Sequence, residues 1–236
     1  MSQSGVEKLV ERQMRNWELA RTQQDSEVAP DAERVFEFVT LSRQSGAGGL
    51  TLARALGKQI GWEVYDREIL NYMSQNDAVQ QKIYELADEH PEGYFESFLK
   101  NLGFEGQPPG SDYFRKLISS INAIARTNHA IFVGRGANFV LPAEHGLRIR
   151  VIAPEKVRCE RRATQVGCSL EEAGSAVQER DTQREKFLRE HFRVDPFCLE
   201  LYDVHINTGY LSTDAAVSML IAGLESKTHV HVNRAE

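Results

Sequence analysis

The chain contains few cysteines, no long apolar run and no excess of positive charge, and each absence excludes a class of protein. Its three cysteines in 236 residues form neither a C-x-x-C motif nor a Cys/His cluster, so we expect reduced thiols rather than a disulfide framework or a metal cluster. No apolar run approaches the length of a membrane span and the N-terminus is charged, so we expect no membrane partner and a cytoplasmic location. The formal net charge of −6 argues against nucleic acid as a partner.

A glycine-rich segment at residues 42–51 is the most informative part of the sequence, and it reads Ser-Arg-Gln-Ser-Gly-Ala-Gly-Gly-Leu-Thr. It follows a predicted buried strand at residues 35–41 and precedes a helical pattern. Such a turn can cradle phosphate, because small residues let successive backbone N–H groups converge on an anion that the helix dipole also favours. The loop departs from the template G-x-x-x-x-G-K-[ST], since Arg43 stands at the first glycine and Gly49 at the lysine.

Predicted strands and helices alternate along the chain, which favours an α/β domain whose parallel sheet is covered on both faces. We expect this domain over residues 34–225, with a helical insert at 75–127 and a C-terminal tail at 226–236. Its closing helix is predicted to begin after a cap at residues 212–214 and to run through Leu224. After the first strand, the strand patterns are one within residues 61–66 and those at 130–133, 147–152 and 204–207.

Residues 1–33 are predicted to form an amphipathic helix followed by a polar linker. Two interpretations of this helix remain open, because the pattern shows an apolar stripe but not what covers it. The helix either packs on the flank of the domain or forms a homodimer with a second copy.

The segment between residues 148 and 193 is rich in arginine, with nine arginines against two lysines. Those that share a helix face are Arg158, Arg161 and Arg162, and then Arg180 and Arg184. For any single arginine, pairing with a neighbouring glutamate is the simpler interpretation. As a set beside a glycine-rich loop they favour phosphate binding, because guanidinium groups bind phosphate oxygens bidentately and stay charged when desolvated.

Arg135 lies just past the strand at residues 130–133, between Gly134 and Gly136. This is the edge at which open α/β sheets hold ligands, and the flanking glycines indicate a close approach of the backbone. The residue could instead fix its loop through backbone carbonyls, but position and chemistry together favour a ligand.

Four segments, in this order and spacing, resemble the bacterial cytidylate kinases, and most closely the cytidylate kinase-like branch of the P-loop nucleoside monophosphate kinases. They are residues 38–51, Gly134-Arg135, residues 158–162 and residues 179–184. The resemblance covers about residues 35–225. It implies a P-loop NTPase fold, with a five-stranded parallel sheet flanked by helices, a helical acceptor-side insert and an arginine-rich lid region at 154–193.

The resemblance also implies site residues and cofactors. ATP would be held by Ser45, Gly46, Ala47, Gly48, Gly49, Leu50 and Thr51, with Thr51 reaching Mg²⁺. The acceptor would be held by Asp66, Arg67, Gly134 and Arg135. The arginines expected to neutralise the transferring phosphoryl group are Arg158, Arg162, Arg180 and Arg184. Our hypothesis for Arg43 is that it substitutes for the missing loop lysine.

These features predict an ATP-dependent, Mg²⁺-using phosphotransferase that acts on a nucleoside monophosphate such as CMP or dCMP, or on a similar phosphorylated small molecule. Two alternatives remain, because the family's Asp-Gly-Arg-Asp is Val-Gly-Arg-Gly at residues 133–136 and the loop lysine is absent. One is a nucleotide-binding sensor or regulatory module with weak catalysis, and the other is a kinase of a non-nucleotide acceptor. The number of arginines favours an enzyme over a pure binding module.

Overall fold

The computed structural model describes residues 3–24, 35–86, 98–100, 102 and 111–232. The strands are β1 (Phe38–Arg43), β2 (Glu63–Tyr65), β3 (Ala130–Val133), β4 (Gly146–Ile152) and β5 (Val204–Asn207). They form one five-stranded sheet in the order β2-β3-β1-β4-β5. Every adjacent pair is parallel. The predicted five-stranded parallel sheet is therefore confirmed.

Helices occupy the connections between these strands and cover both faces of the sheet. They are α1 (Gln3–Gln24), α2 (Gly49–Ile60), α3 (Arg67–Gln75), α4 (Asp77–Leu86), α5 (Ser111–Thr127), α6 (Ala137–Val140), α7 (Glu155–Val166), α8 (Leu170–Phe192) and α9 (Thr213–Thr228). Side-chain caps fix where several of them begin: Ser169 and Glu172 form a capping box at α8, and Ser212 caps α9. None of the described helices combines the length and apolarity needed to cross a membrane.

Alternate residues of β1 serve two separate cores, as the pleat of a strand requires. Val39 and Leu41 lie in a core with α2 and α9, whereas Phe38 lies in a second core with α3, α5 and the end of α8. Because all five strands run in the same direction, their carboxyl ends meet at one edge of the sheet. The glycine-rich loop and the Gly134-Arg135 segment both follow strands at this edge.

The N-terminal helix α1 packs on the flank of the same chain. Val6 and Val10 are buried in the core that contains Phe38. Gln13 is 3% exposed, and its Oε1 accepts hydrogen bonds from Tyr65 Oη at 2.6 Å and from Asn128 Nδ2 at 3.1 Å. These contacts agree with the flank interpretation, while the homodimer stays a prediction. The linker predicted after this helix lies outside the described residues.

The closing helix α9 ends at Thr228 rather than at Leu224. Its last turn is stabilised locally, because Thr228 Oγ1 donates to the Leu224 carbonyl and the His229 N–H donates to the Glu225 carbonyl. Helix ends of this kind depend on local hydrogen bonds that the hydrophobic pattern does not report. The domain limits stay predictions.

An aromatic cluster joins the end of α8 to the helices beneath it. Phe192 is 1% exposed. Its ring lies 5.2 Å from that of Phe114, 5.3 Å from Phe139, 6.1 Å from Phe187 and 6.3 Å from Phe98. The C-terminal part of α8 is therefore fixed in the core. The preceding turns of the same helix extend toward the carboxyl edge of the sheet.

We expect Phe192→Ala to lower the free energy of unfolding by roughly 3–5 kcal/mol, because it leaves a cavity among these rings. Urea unfolding followed by circular dichroism measures the change. The control is Phe197→Ala, at a side chain that is 55% exposed, which should shift stability by less than about 0.5 kcal/mol. Similar losses in the two variants would contradict this packing.

Candidate active site

The glycine-rich loop makes the turn from β1 into α2 through two left-handed glycines. Gly46 has φ 76° and Gly48, the N-cap of α2, has φ 73°. A Cβ at Gly46 would lie 2.5 Å from the backbone oxygen of Arg158, so the start of α7 packs directly on the loop. Alternating backbone handedness at a helix N-terminus forms a concave nest of N–H groups suited to an anion.

The loop is held from outside by neighbouring strand ends. The Gln44 N–H donates to the Val151 carbonyl at 3.0 Å, and its side-chain Oε1 accepts from the Ala153 N–H at 3.2 Å. Thr208, just after β5, donates through Oγ1 to the Ala47 carbonyl at 2.7 Å. A loop fixed in this way is already ordered before a ligand binds, so binding costs less conformational entropy.

Arg43 crosses the site, and two glycines make room for its side chain. A Cβ at Gly49 would lie 2.8 Å from the Cβ of Arg43. A Cβ at Gly134 would lie 1.8 Å from its Nη1 and 2.9 Å from its Cζ. The side chain thus runs over Gly49 and places its guanidinium on Gly134. This explains why glycine occupies the lysine position of the template.

Four arginines from different elements concentrate positive charge at this point. Burial, the largest cause, and the charges of Arg184, Arg67 and Arg135 together lower the pKa of Arg43 to about 9, while Asp66 opposes them. Burial is also the main cause that lowers the pKa of Arg135 and of Arg184. At neutral pH Arg43 remains protonated. Asp66 and Asp181 are the acidic groups that act on this cluster.

Arg135 is held in an uncommon conformation by residues from three helices. Its φ is 56°, in the left-handed region that non-glycine residues seldom adopt. Arg135 Nε donates to Asn71 Oδ1 at 3.1 Å, and Tyr113 Oη donates to the same oxygen at 2.8 Å. Its Cζ lies 5.1 Å from the centre of the Phe187 ring. Contacts with Asn71, Tyr113 and Phe187 thus fix the orientation of the guanidinium.

Asp66 holds the start of α3 in place. The residue is 7% exposed, and its Oδ1 accepts from the backbone N–H groups of Glu68 and Ile69 at 2.9 and 3.2 Å. Oδ2 lies 3.8 Å from an Arg54 nitrogen. The residue therefore caps the helix that carries Arg67 and Asn71.

The lid region contacts the loop through Asp181. Asp181 Oδ1 accepts from the Ser45 N–H at 2.6 Å, and Oδ2 accepts from Arg158 Nη1 at 2.7 Å. Arg158 Nη1 also donates to the Ser45 carbonyl at 3.2 Å. Arg184 Nη1 donates to Asp181 Oδ1 and to the Arg43 carbonyl, each at 3.3 Å. Sequence reasoning did not select Asp181 as a site residue.

The remaining residues that the sequence predicted for the site make few contacts with the loop. Arg161, rather than Arg162, contacts the site wall, donating to Thr208 Oγ1 at 2.9 Å and to its carbonyl at 2.7 Å. Among the described residues, neither Arg162, which is half-buried, nor the exposed Arg180 makes a hydrogen bond or ion pair. Thr51 is exposed in the first turn of α2, and Leu50 stands at the template's hydroxyl position.

Comparison with known proteins assigns the chain to a family. Residues 38–210 match the Cytidylate kinase-like family. The chain belongs to this family. The predicted resemblance is therefore confirmed, and the protein is a nucleoside monophosphate kinase-like transferase.

Curated relatives and a solved structure agree with this family. A cytidylate kinase of Methanopyrus kandleri is 27% identical over 189 residues, which cover 79% of this chain and 92% of that protein. A cytidylate kinase of Methanothrix thermoacetophila is 26% identical over 190 residues, covering 80% and 98%. The crystal structure of an uncharacterized protein from Eubacterium ventriosum matches with a TM-score of 0.66 at 19% identity, covering 80% and 98%. That structure supports the fold alone.

The crossing of Arg43 over Gly49 predicts a specific coupling between these positions. Gly49→Ala should lower the free energy of unfolding by roughly 1–3 kcal/mol, because the new methyl group overlaps the Arg43 side chain. In an Arg43→Gly background the cost should largely disappear, since the obstructing atoms are gone. A double-mutant cycle on urea unfolding measures this coupling.

Gly223→Ala is a suitable control, because a Cβ there meets Leu147 at an ordinary 3.6 Å. Within a helix this change should be neutral or stabilise by up to about 1 kcal/mol. An equal cost of Gly49→Ala with and without Arg43 would show that the side chain does not cross Gly49.

Proposed function

We propose that this protein is an ATP-dependent kinase that moves the γ-phosphate of ATP to CMP or dCMP, or to a closely similar phosphorylated small molecule. The observation that carries the proposal is the convergence of Arg43, Arg67, Arg135 and Arg184 beside a loop with two left-handed glycines. Arg67 is exposed, whereas Arg43, Arg135 and Arg184 are partly buried. Positive charge concentrated in this way is costly without an anion, so a site with several phosphates explains the arrangement. The curated relatives named cytidylate kinase support CMP as acceptor.

On the donor side, residues 45–51 would bind the phosphates of ATP through backbone N–H groups. Among the described residues no group of three or more His, Cys, Asp or Glu side chains is arranged to hold a metal ion. Mg²⁺ in phosphotransferases is held largely by substrate phosphates and water. Because Leu50 stands at the template's hydroxyl position, the neighbouring Thr51, exposed in the first turn of α2, is the residue that would reach Mg²⁺. When bound, Mg²⁺ neutralises charge on the donor phosphates.

On the acceptor side, Arg135 would bind the monophosphate, with Gly134 and Arg67 beside it. The contacts to Asn71, Tyr113 and Phe187 fix the direction of its guanidinium before the acceptor arrives. A group oriented in advance loses little freedom when it binds a phosphate bidentately. Asp66 would act indirectly, by holding the start of α3.

The transfer itself needs little chemistry from the protein. The bond between the γ-phosphorus and its bridging oxygen breaks, and an acceptor phosphate oxygen forms the new bond, giving ADP and a nucleoside diphosphate. No general base is required, because the acceptor phosphate is largely ionised at neutral pH. Positioning and charge neutralisation remain, and we assign these to Arg43, Arg158 and Arg184, with Arg162 and Arg180 further out in the lid region.

Arg43 is proposed to replace the loop lysine. Its side chain begins at the loop and ends on Gly134, beside the proposed acceptor arginine. A single guanidinium in this position can contact both the donor and the acceptor phosphates. Gly49 is then a consequence of the replacement rather than a sign of lost activity.

A non-nucleotide acceptor is the second candidate, and one observation favours it. Val133 and Gly136 stand where the cytidylate kinases that the chain resembles have carboxylates beside the acceptor. Two carboxylates lie in the site, but Asp66 is used as a helix cap and Asp181 is bound to the loop and to the lid arginines, so neither replaces them.

An ADP-release assay with ATP and Mg²⁺ tests the function across CMP, dCMP, UMP, AMP, GMP and no acceptor. We expect turnover with CMP or dCMP, and a roughly 10²–10³-fold loss of kcat/KM in Arg135→Ala, the size expected when one preorganised charge is removed. ATP binding without release of ADP on any monophosphate would move the assignment to the second candidate or to a sensor.

Arg43→Ala should reduce kcat by roughly 10²-fold or more if this residue replaces the loop lysine. Arg189→Ala provides the control, since that side chain is 54% exposed and pairs with Asp195 at 3.1 Å. Steady-state kinetics with the acceptor that gives the highest turnover compare kcat in the two variants. Full turnover and donor affinity in Arg43→Ala would contradict the replacement.

A further inference from the structure

An acidic side chain of the lid region lies on the part of the loop that the proposed function reserves for the donor phosphates. The Asp181 carboxylate accepts from the Ser45 N–H at 2.6 Å and from Arg158 Nη1 at 2.7 Å. Its Oδ1 also accepts from Arg184 Nη1 at 3.3 Å. One carboxylate thus accepts hydrogen bonds from a loop amide and from two arginines of the lid region. All three donors would also suit a phosphate.

This site is partly shielded from solvent, most at Arg158 and least at Arg184, whose side chain is 34% exposed. The side chain of Arg158 is 11% exposed and that of Asp181 is 19% exposed. The start of α7 lies so close that Gly46 has no room for a Cβ. Charge-assisted hydrogen bonds in such surroundings are stronger than those on an open surface. A ligand that takes these donors has to replace the carboxylate, because two anions cannot share them without strong repulsion.

We propose that Asp181 is an internal competitor for the donor phosphates, which occupies the Ser45 amide, Arg158 and Arg184 until a polyphosphate displaces it. The inference rests on the proposed function, since it assigns these donors to ATP. Competition by Asp181 would make the site select polyphosphates over single phosphates, which the arginines alone would not do. A lone phosphate or a monophosphate brings too few contacts to replace the carboxylate, whereas ATP has the additional contacts of residues 46–51.

Removing the charge at residue 181 should therefore strengthen phosphate binding. Asp181→Asn keeps the shape of the side chain and one acceptor oxygen but competes as a neutral group. We expect its Kd for ATP, measured by titration calorimetry, to be roughly tenfold lower than that of the wild-type protein, the size of one net hydrogen bond. Inorganic phosphate should show measurable binding to Asp181→Asn under conditions in which the wild-type protein shows none.

Asp181→Ala is a second variant and should change the Kd in the same direction. The control is Glu171→Gln in the exposed first turn of the same helix, which removes one negative charge without touching the loop and should leave the Kd unchanged. Circular dichroism and thermal unfolding establish that the variants are folded.

Weaker or unchanged ATP binding in both folded Asp181 variants would overturn the inference and leave the proposed function intact. Failure of both variants to fold would also overturn it, because Asp181 would then serve stability rather than competition. Absence of ATP binding in the wild-type protein and in the variants would contradict the proposed function itself.

Discussion

The side chain of Arg43 is the constraint on which the site depends. It needs glycine at two places far apart in the chain, Gly49 in the loop and Gly134 after β3, because a Cβ at either would overlap it. Its charge is held next to Arg67, Arg135 and Arg184 despite their mutual repulsion. An arrangement that is unfavourable in the empty protein is stable only when packing enforces it, and phosphates bound as we propose would make it favourable. If Arg43 replaces the loop lysine, as we propose, the unusual loop sequence follows from a change in which residue supplies the central cation.

The fold connects this cation to the lid region. The end of α8 is fixed in the core by Phe192, while the turns before it bring Asp181 and Arg184 to the loop. Phe187, between these two parts, lies against the guanidinium of Arg135. One helix therefore contacts both the proposed donor side and the proposed acceptor side, so the positions of the two phosphates are coupled through a single rigid element.

The sheet and the turn of the loop could be predicted from the sequence, because each depends on a local pattern. Strands β3 and β5 have the bounds that their residue patterns predict, and Gly46 and Gly48 adopt the left-handed conformation that only glycine adopts easily. The position of Arg135 at the sheet edge follows from the strand before it, while its role in binding a ligand stays a prediction. Asp181 and Asn71 were missed for a physical reason. The first meets Ser45 across 136 residues of sequence and the second meets Arg135 across 64, and no spacing rule reports contacts between distant elements. Helical spacing grouped Arg158 with Arg161 and Arg162. That Arg158 donates to Ser45 and Arg161 to Thr208 depends on how α7 is placed against the loop and the end of β5.

In the proposed reaction, phosphate moves between two ligands held on either side of Arg43. The most direct measurement is to incubate the protein with Mg²⁺, CMP and ATP labelled in its γ-phosphate, and to separate the products by chromatography. We expect the label to leave ATP and to appear in CDP, in amounts equal to the ADP formed. Label that stays in ATP or appears only as inorganic phosphate, whichever monophosphate is supplied, would contradict it.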